Sequence, residues 1–490
     1  MKLTQQGLRW FAALLPVERA VLSAVSFLTL LLAGVLLMGD RSSPRVIGFS
    51  WDNQRIGRDA RHFTLTFDRP MDWQSIAAQL EISPPLPGKA SGAGHTFAYT
   101  PTDVPAYGTD YTLRLAGARA QPRRPQATAP VLPTFETQFS TRDRAFAYLG
   151  TEGEATGRLI LRNETRDETV DLTPIDLVVT NFEPYSDGDR ILFSAYERNR
   201  GNGIADQQLY TVSTGLGERA NTPPGRVQLL LSSAEYQNLQ FDLAENGEFA
   251  LVQRVNRQNR ADSGLWLLPI EGEPRALGVQ GDRFTLTPDG RAVAIARERG
   301  VEIVPFVEAA GTWEFFPGYQ RLLAFAPRDR QTKLLVREND DFTESLYLVD
   351  RQGKAVELLQ TRGQLLDCQF EPRQETHLYC LHTEPLAADS AIVSPFLTLV
   401  ELATAESVPL VALTDDPNVR MSLSPDGRDL LFDQVVRPVE TEDTGQVLEP
   451  SEIVGSLWRM PLPDLSGREA YVNFSPPEEV GAGVDPHWLP

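Results

Sequence analysis

Four times this chain sets a Pro-Asp-Gly type of turn directly before a short apolar run: PYSDGDRILF at 184–193, LAENGEFALV at 243–252, LTPDGRAVAI at 286–295 and LSPDGRDLLF at 423–432. In Ser424-Pro425-Asp426-Gly427 the proline presets φ at the second turn position and aspartate suits the third. Glycine then accepts the left-handed region without a Cβ penalty. Between apolar runs such a turn makes a bulged hairpin. Two further copies, FAPRDRQTKLLV at 325–336 and FEPRQETHLYCL at 370–381, keep the proline and the apolar run but lack the glycine. Aligned on the proline position, Ser186, Glu245, Pro288, Pro327, Pro372 and Pro425 lie 59, 43, 39, 45 and 53 residues apart. A β-rich period of about 40–60 residues predicts a propeller, one four-stranded blade per repeat.

The rest of each blade follows its turn. Third strands are expected at QLYTVS (208–213), LWLLPI (265–270), VEIVPF (301–306), LYLVD (346–350), LTLVEL (397–402) and LWRMPL (457–462). Fourth strands are expected at VQLLLSS (227–233), RALGV (275–279), AVELLQ (355–360) and VPLVAL (408–413). Residues 146–173 read as second, third and fourth strands with no first, and the closing DPHWLP reads as a first strand cut off at its turn. A ring must pair its first and last blades or leave two sheet edges open. A shared closing blade predicts seven blades. The alternative is six, with the terminal pieces as embellishment and the weak unit at 282–320 as the one to drop. The PDG units and the L-W/Y-x-x pattern after them resemble the TolB-like, WD-like propeller repeats of bacterial envelope proteins, over about residues 145–490.

Ahead of the repeats, FDRPMD at 67–72, YTP at 99–101, AYGTDYTLRL at 106–115 and FETQFST at 135–141 resemble the bacterial Ig-like domains of surface-layer and other envelope proteins. That resemblance implies a spacer or adhesive module and no catalysis. Alternation independently predicts strands at 45–51, 62–67, 76–82, 95–100, 110–116 and 134–140. Their inward residues would be Phe63, Leu65, Phe67, Leu80, Ile82, Phe97, Tyr99, Tyr111, Leu113, Leu115, Phe135 and Phe139. An Arg/Pro-rich insertion at 119–133, with Arg119, Arg123 and Arg124, departs from the family pattern. It reads as a solvated loop tip or a docking loop.

The first residues carry a different signal. AVLSAVSFLTLLLAGVLLM at 20–38 has no charge over 19 residues, about a bilayer span, and Lys2, Arg9 and Arg19 precede it. An uncleaved anchor with its N-terminus inside is expected, since LLMGDRSSPR offers no small-x-small cleavage site. A cleaved signal peptide is the competing reading. The expected class is therefore all-β: a single transmembrane helix in 1–44, an Ig-like sandwich over 45–142 and a TolB-like propeller over 143–490.

Net charge is −20 even with the basic N-terminus, which argues against nucleic acid or anionic lipid as a general partner. The five histidines fall in no metal-binding frame, so no metal or cofactor is expected. The two cysteines, Cys368 and Cys380, are symmetric about a turn and either form a cross-strand disulfide or stay as buried thiols. No GxSxG elbow occurs and no catalytic residue is assigned.

If PDG turns join first and second strands, they share one face of the disc. Loops joining second and third strands, at 197–206, 254–263, 338–344, 383–395 and 434–455, emerge on the other. Elaborated loops mark the usual binding side of a repeat protein. Glu197, Arg198, Arg200, Arg254, Arg257, Arg260, Glu440, Glu442 and Asp443 are the candidate interaction residues. The expected role is a membrane-anchored extracytoplasmic binding or scaffolding protein whose partner is another envelope or membrane protein. The alternatives are an envelope hydrolase or lyase with a channel site, or a cell-wall glycan binder stacking sugars on Trp266, Trp313 and Trp458.

Overall fold

In the computed structural model, residues 16–38, 43–57, 60–122, 129–217, 222–270, 272–307, 313–385, 393–413, 418–436, 454–463, 465 and 474–490 are described. Pro16–Met38 is helical, and its described side chains, Val21, Val25, Phe27 and Leu28 among them, are exposed. Among the described residues no helix is long and apolar enough to cross a membrane.

Residues 46–141 form two four-stranded sheets around one core. One sheet runs Val46–Phe49, Phe63–Phe67, Thr96–Pro101, Gly88–Ala93; the other runs Arg55–Ile56, Phe135–Thr141, Asp110–Leu115, Leu80–Ser83. All twelve inward residues expected from alternation belong to that core or pack against it. The strand expected at 76–82 is half wrong. Trp73–Gln79 is a short helix, because the Asp72 carboxylate caps it by accepting from the Gln74 N–H (3.1 Å), and only Leu80–Ser83 is strand. Ile76 turns inward from the helix and is buried.

The rest of the described chain contains seven more four-stranded sheets, each in simple strand order from the inside outward. Six are contiguous, spanning 177–231, 236–276, 284–317, 321–361, 365–412 and 421–482 (blades 2 to 7). Blade 1 is composite: Val484–Trp488 pairs antiparallel with Ala145–Leu149, followed by Leu159–Asn163 and Glu168–Asp171. Inner strands touch from blade 3 to 4, 5 to 6, 6 to 7 and from blade 7 to the C-terminal strand. This is a β-propeller whose ring is closed by its last strand. The weak repeat at 282–320 has all four of its strands, the fourth being Glu314–Pro317.

The turns behave as their composition demands. Gly427 donates its N–H to Ser424 O (2.8 Å) at φ +64°, and the Ser424 hydroxyl donates to Asp426 Oδ1 (2.7 Å) while accepting from Asp429 N (3.0 Å). Where the glycine is missing, Arg330 and Glu375 take φ +57° and +56° themselves. Cys368 and Cys380 sit opposite one another in blade 6, fully buried, joined as a disulfide with Cα atoms 4.1 Å apart.

Candidate functional site

The two faces of the disc are used differently. The PDG-turn face is covered: the N-terminal sheets sit on it. Tyr107 N donates to the buried Asp426 carboxylate (3.4 Å), and Arg142 Nη1 donates to Ser186 O (2.8 Å) and Pro490 O (2.9 Å). Gly108 is held against Thr165 so closely that a Cβ would lie 2.4 Å from its hydroxyl. Arg144 completes the junction. It donates to Glu164 (2.7 Å) and Asp429, lies 3.9 Å from Asp426 and stacks over Trp488. Glu164 also accepts from Arg459 (2.8 Å), so the seam between blades 7 and 1 is an ion network. A cavity of about 540 Å³ remains at the channel mouth, between Arg61 and Arg142 above and the turns of blades 2 to 5 below.

Inside, the channel is acidic. A propeller's innermost strands are sheet edges, and their outward N–H groups need acceptors. Here side chains three residues before the turn position supply them. Glu183 accepts from Leu243 N (2.7 Å), Asp242 from Leu286 N (2.5 Å), Gln369 from Leu423 N (3.0 Å) and Ser422 from Trp488 N (3.0 Å). Each tether crosses to the next blade at the same register. At the closing joint the equivalent donor position is Pro184, which has no N–H, and the His487 ring packs on Phe182 instead (4.8 Å).

Burial, with Asp242 and Asp485 nearby, holds the Glu183 carboxyl well above the usual carboxylate range against the Leu243 N–H. Burial pushes Asp242 up to about 6. Asp433, burial again outweighing its backbone donors Asp485 N and Arg420 N, also rises to about 6. Burial likewise raises Asp367, though Gln369 opposes it. Asp485 goes the other way: burial acts to raise it, but His487 and Arg420 outweigh that and hold it low. Among the described residues no group of three or more candidate ligands is arranged to hold a metal.

The loop face carries the residues expected to bind, and the structure separates them into two kinds. Arg198 donates to Ile175 O (3.0 Å) and Thr156 O of blade 1. Arg257, at the same register one blade on, donates to Ser233 O (2.6 Å) and Ala205 O (2.8 Å) and pairs with Asp206 (2.8 Å). Arg254 is buried between the Tyr236 and Trp266 rings, donating to Asn238. All three guanidiniums are engaged within the ring; Arg254 is buried, whereas Arg198 and Arg257 remain exposed on the loop face. Trp266 is covered by Arg254 and offers no stacking face to a sugar on that side. Arg200 is exposed and pairs only loosely with Glu197 (3.2 Å), and Arg260 is exposed. Glu440, Glu442 and Asp443 lie outside the described residues, as do Arg123 and Arg124.

The register of channel acceptors was legible and missed. The signal is a hydrogen-bonding side chain three residues before five of the six turn positions, at Glu183, Asp242, Thr285, Gln369 and Ser422, with Ala324 the exception before Pro327.

No family model matches the chain, and no curated protein matches it. Solved structures with similar folds include TolB from Acinetobacter baumannii, at 11% identity over 85% of this chain and 84% of that one, TM-score 0.40. Oligogalacturonate lyase from Vibrio parahaemolyticus has 10% identity over 72% and 94%, TM-score 0.42. Prolyl oligopeptidase B from Galerina marginata has 9% identity over 69% and 52%, TM-score 0.43. The propeller here is read from its own sheets, and no activity follows from these likenesses.

Proposed function

We propose that this chain is an extracytoplasmic binding or scaffolding protein that engages another envelope or membrane protein through the loop face of its propeller. The observation that carries this reading is the occupancy of the other face: the N-terminal sheets cover the PDG turns, while among the described residues nothing covers the loop face, with Ile175 (51% exposed) and Ile204 (64% exposed) on it. The helix at 20–38 anchors the chain in the cytoplasmic membrane with its N-terminus inside, and the Ig-like region is the spacer between anchor and disc. A buried disulfide fits that side of the membrane, because the cytosol keeps thiols reduced.

One observation favours an enzyme instead: two neighbouring carboxyls, Glu183 and Asp242, on inner strands, both raised by burial. Their oxygens already serve as blade-to-blade acceptors, which supplies a structural reason for their presence. The test uses the full-length protein in its membrane, with a photoreactive residue replacing Arg200, Arg260 or, as a control on an outer strand, Arg275. Discrete adducts to one protein from the first two sites, absent from the third, are expected. If the loop-face sites give none, and Glu183→Gln abolishes turnover of an envelope substrate, the binding reading is lost to the enzyme.

A further inference from the structure

The second-to-third-strand hairpin of blade 5 carries a side chain whose placement nothing inside the molecule explains. Phe342 is 82% exposed, and its backbone lies in the left-handed region at φ +64°. Single exposed apolar residues are ordinary; a bulky one held in a conformation that disfavours side chains is not. Other side-chain-bearing residues at positive φ have reasons on the page. Arg330 pairs with Glu245, Glu375 pairs with Arg328, Ala405 packs on the core of blades 5 and 6, and Asp485 meets His487. Asn53 and Asp167 are residue types that tolerate the region. Among the described residues the Phe342 ring stacks on no other ring and belongs to no core cluster.

The conformation is also built to persist. Asn339 N donates to Thr343 O (2.8 Å), and Phe342 N donates to Asn339 O (3.0 Å). The Asn339 amide donates to the Thr343 hydroxyl (2.9 Å), which donates to Asp341 Oδ1 (2.6 Å). The same hairpin carries the exposed carboxylates of Glu338, Asp340 and Asp341.

We propose that Phe342 is a docking knob for a protein whose receiving socket is apolar and rimmed by lysine or arginine. This deepens the loop-face reading above and rests on it. The hairpin's own hydrogen bonds hold the backbone, and what they hold out is an apolar ring 82% exposed. The acids that flank the ring select the partner's charge. The same acids repel an anionic lipid surface and, on a chain of net charge −20, a second copy. Hydrogen bonds from the Thr343 side chain and backbone hold the Asp341 carboxyl below its ordinary range, so the rim stays charged in mild acid.

Full-length protein in its membrane, carrying benzoyl-phenylalanine at 342 or at 204, tests this. Expected are an adduct from 342 whose partner peptide holds lysine or arginine beside apolar residues, and a roughly tenfold lower yield when Asp340→Lys and Asp341→Lys are added. Phe342→Gly is expected to raise the unfolding midpoint by about 1–3 °C while abolishing the adduct formed from 204. An adduct from 204 but none from 342 overturns the knob and leaves the loop-face reading standing. No adduct from either overturns both. An adduct from 342 to lipid or to a second copy of this chain overturns the basic-rimmed socket, as does a yield unchanged by the charge reversal.

Discussion

The two faces of the propeller show how one repeat serves opposite ends. At the PDG-turn face every polar group near Asp426 is spoken for: Ser424, Arg428 and Tyr107 donate to it, and Arg144 stands beside it. At the loop face the same blades end in hairpins of unequal length, some clamped to their neighbours by arginine and some projecting bare. A repeated turn is under one geometric demand, so it becomes uniform and easy to read. Loops facing solvent are under none until a partner imposes one.

The largest test of that contrast is Asp426→Ala. Asp426 is 2% exposed, and removing it leaves buried donors without an acceptor and Arg144 with less countercharge. A loss of about 3 kcal/mol in stability is expected, with looser docking of the N-terminal sheets seen as faster proteolysis near residue 143. Asp340→Lys on the opposite face should change neither. Equal effects would mean that the covered face is no more structural than the open one. Next in size is the disulfide: Cys368→Ala with Cys380→Ala should cost about 2–3 kcal/mol for a loop this short, read as a lower denaturation midpoint that reductant reproduces in the parent protein. The effect should stay in blade 6 and leave the loop-face adducts unchanged.

Most of the ring was legible in the sequence because its signals are local. Pro-Asp-Gly chemistry fixes a turn, and the strand fragments at 146–173 and 485–490 complete each other by count alone. The N-terminal core was legible for the same reason, since Phe63, Leu65 and Phe67 alternate. What resisted reading was long-range. Nothing near Arg254 says that Tyr236 and Trp266 will close on it, so an arginine in a loop-like stretch looks available for a partner. Nor does FDRPMDWQSIAAQ announce a helix to a reader expecting strands; Asp72 as a cap was the available cue. Docking of one β region on the turn face of another depends on Tyr107 and Asp426, 319 residues apart.

Titration separates the channel from both faces. Asp242 and Asp433 hold their protons up to about pH 6 in the folded protein, against about 3.8 unfolded. The folded state therefore binds more protons between those values, and stability falls as pH rises from about 4 through 6. Asp242→Asn keeps an oxygen for Leu286 N–H and removes the ionisation, so it should flatten that slope and raise stability at pH 8 by about 1–3 kcal/mol. Unfolding midpoints taken from pH 5 to 8 decide it. A slope unchanged by the substitution would place the burden on Glu183 or Asp433 instead.

The smallest expected effects divide the loop face itself. Arg254→Met keeps much of the aliphatic stem but loses the cation between two rings and the bond to Asn238, for a loss of about 1–2 kcal/mol. Arg260→Met, exposed in the hairpin that follows Arg254's strand, should stay within about 0.5 kcal/mol. The informative quantity is the pair of responses. If Arg254→Met lowers stability while loop-face adduct yield is unchanged, and Arg260→Met does the reverse, one strand-and-hairpin unit holds one residue for the fold and one for the partner, six positions apart. If both alter binding without altering stability, Arg254 is no clamp, and the division between engaged and projecting arginines fails at the place where the structure draws it most sharply.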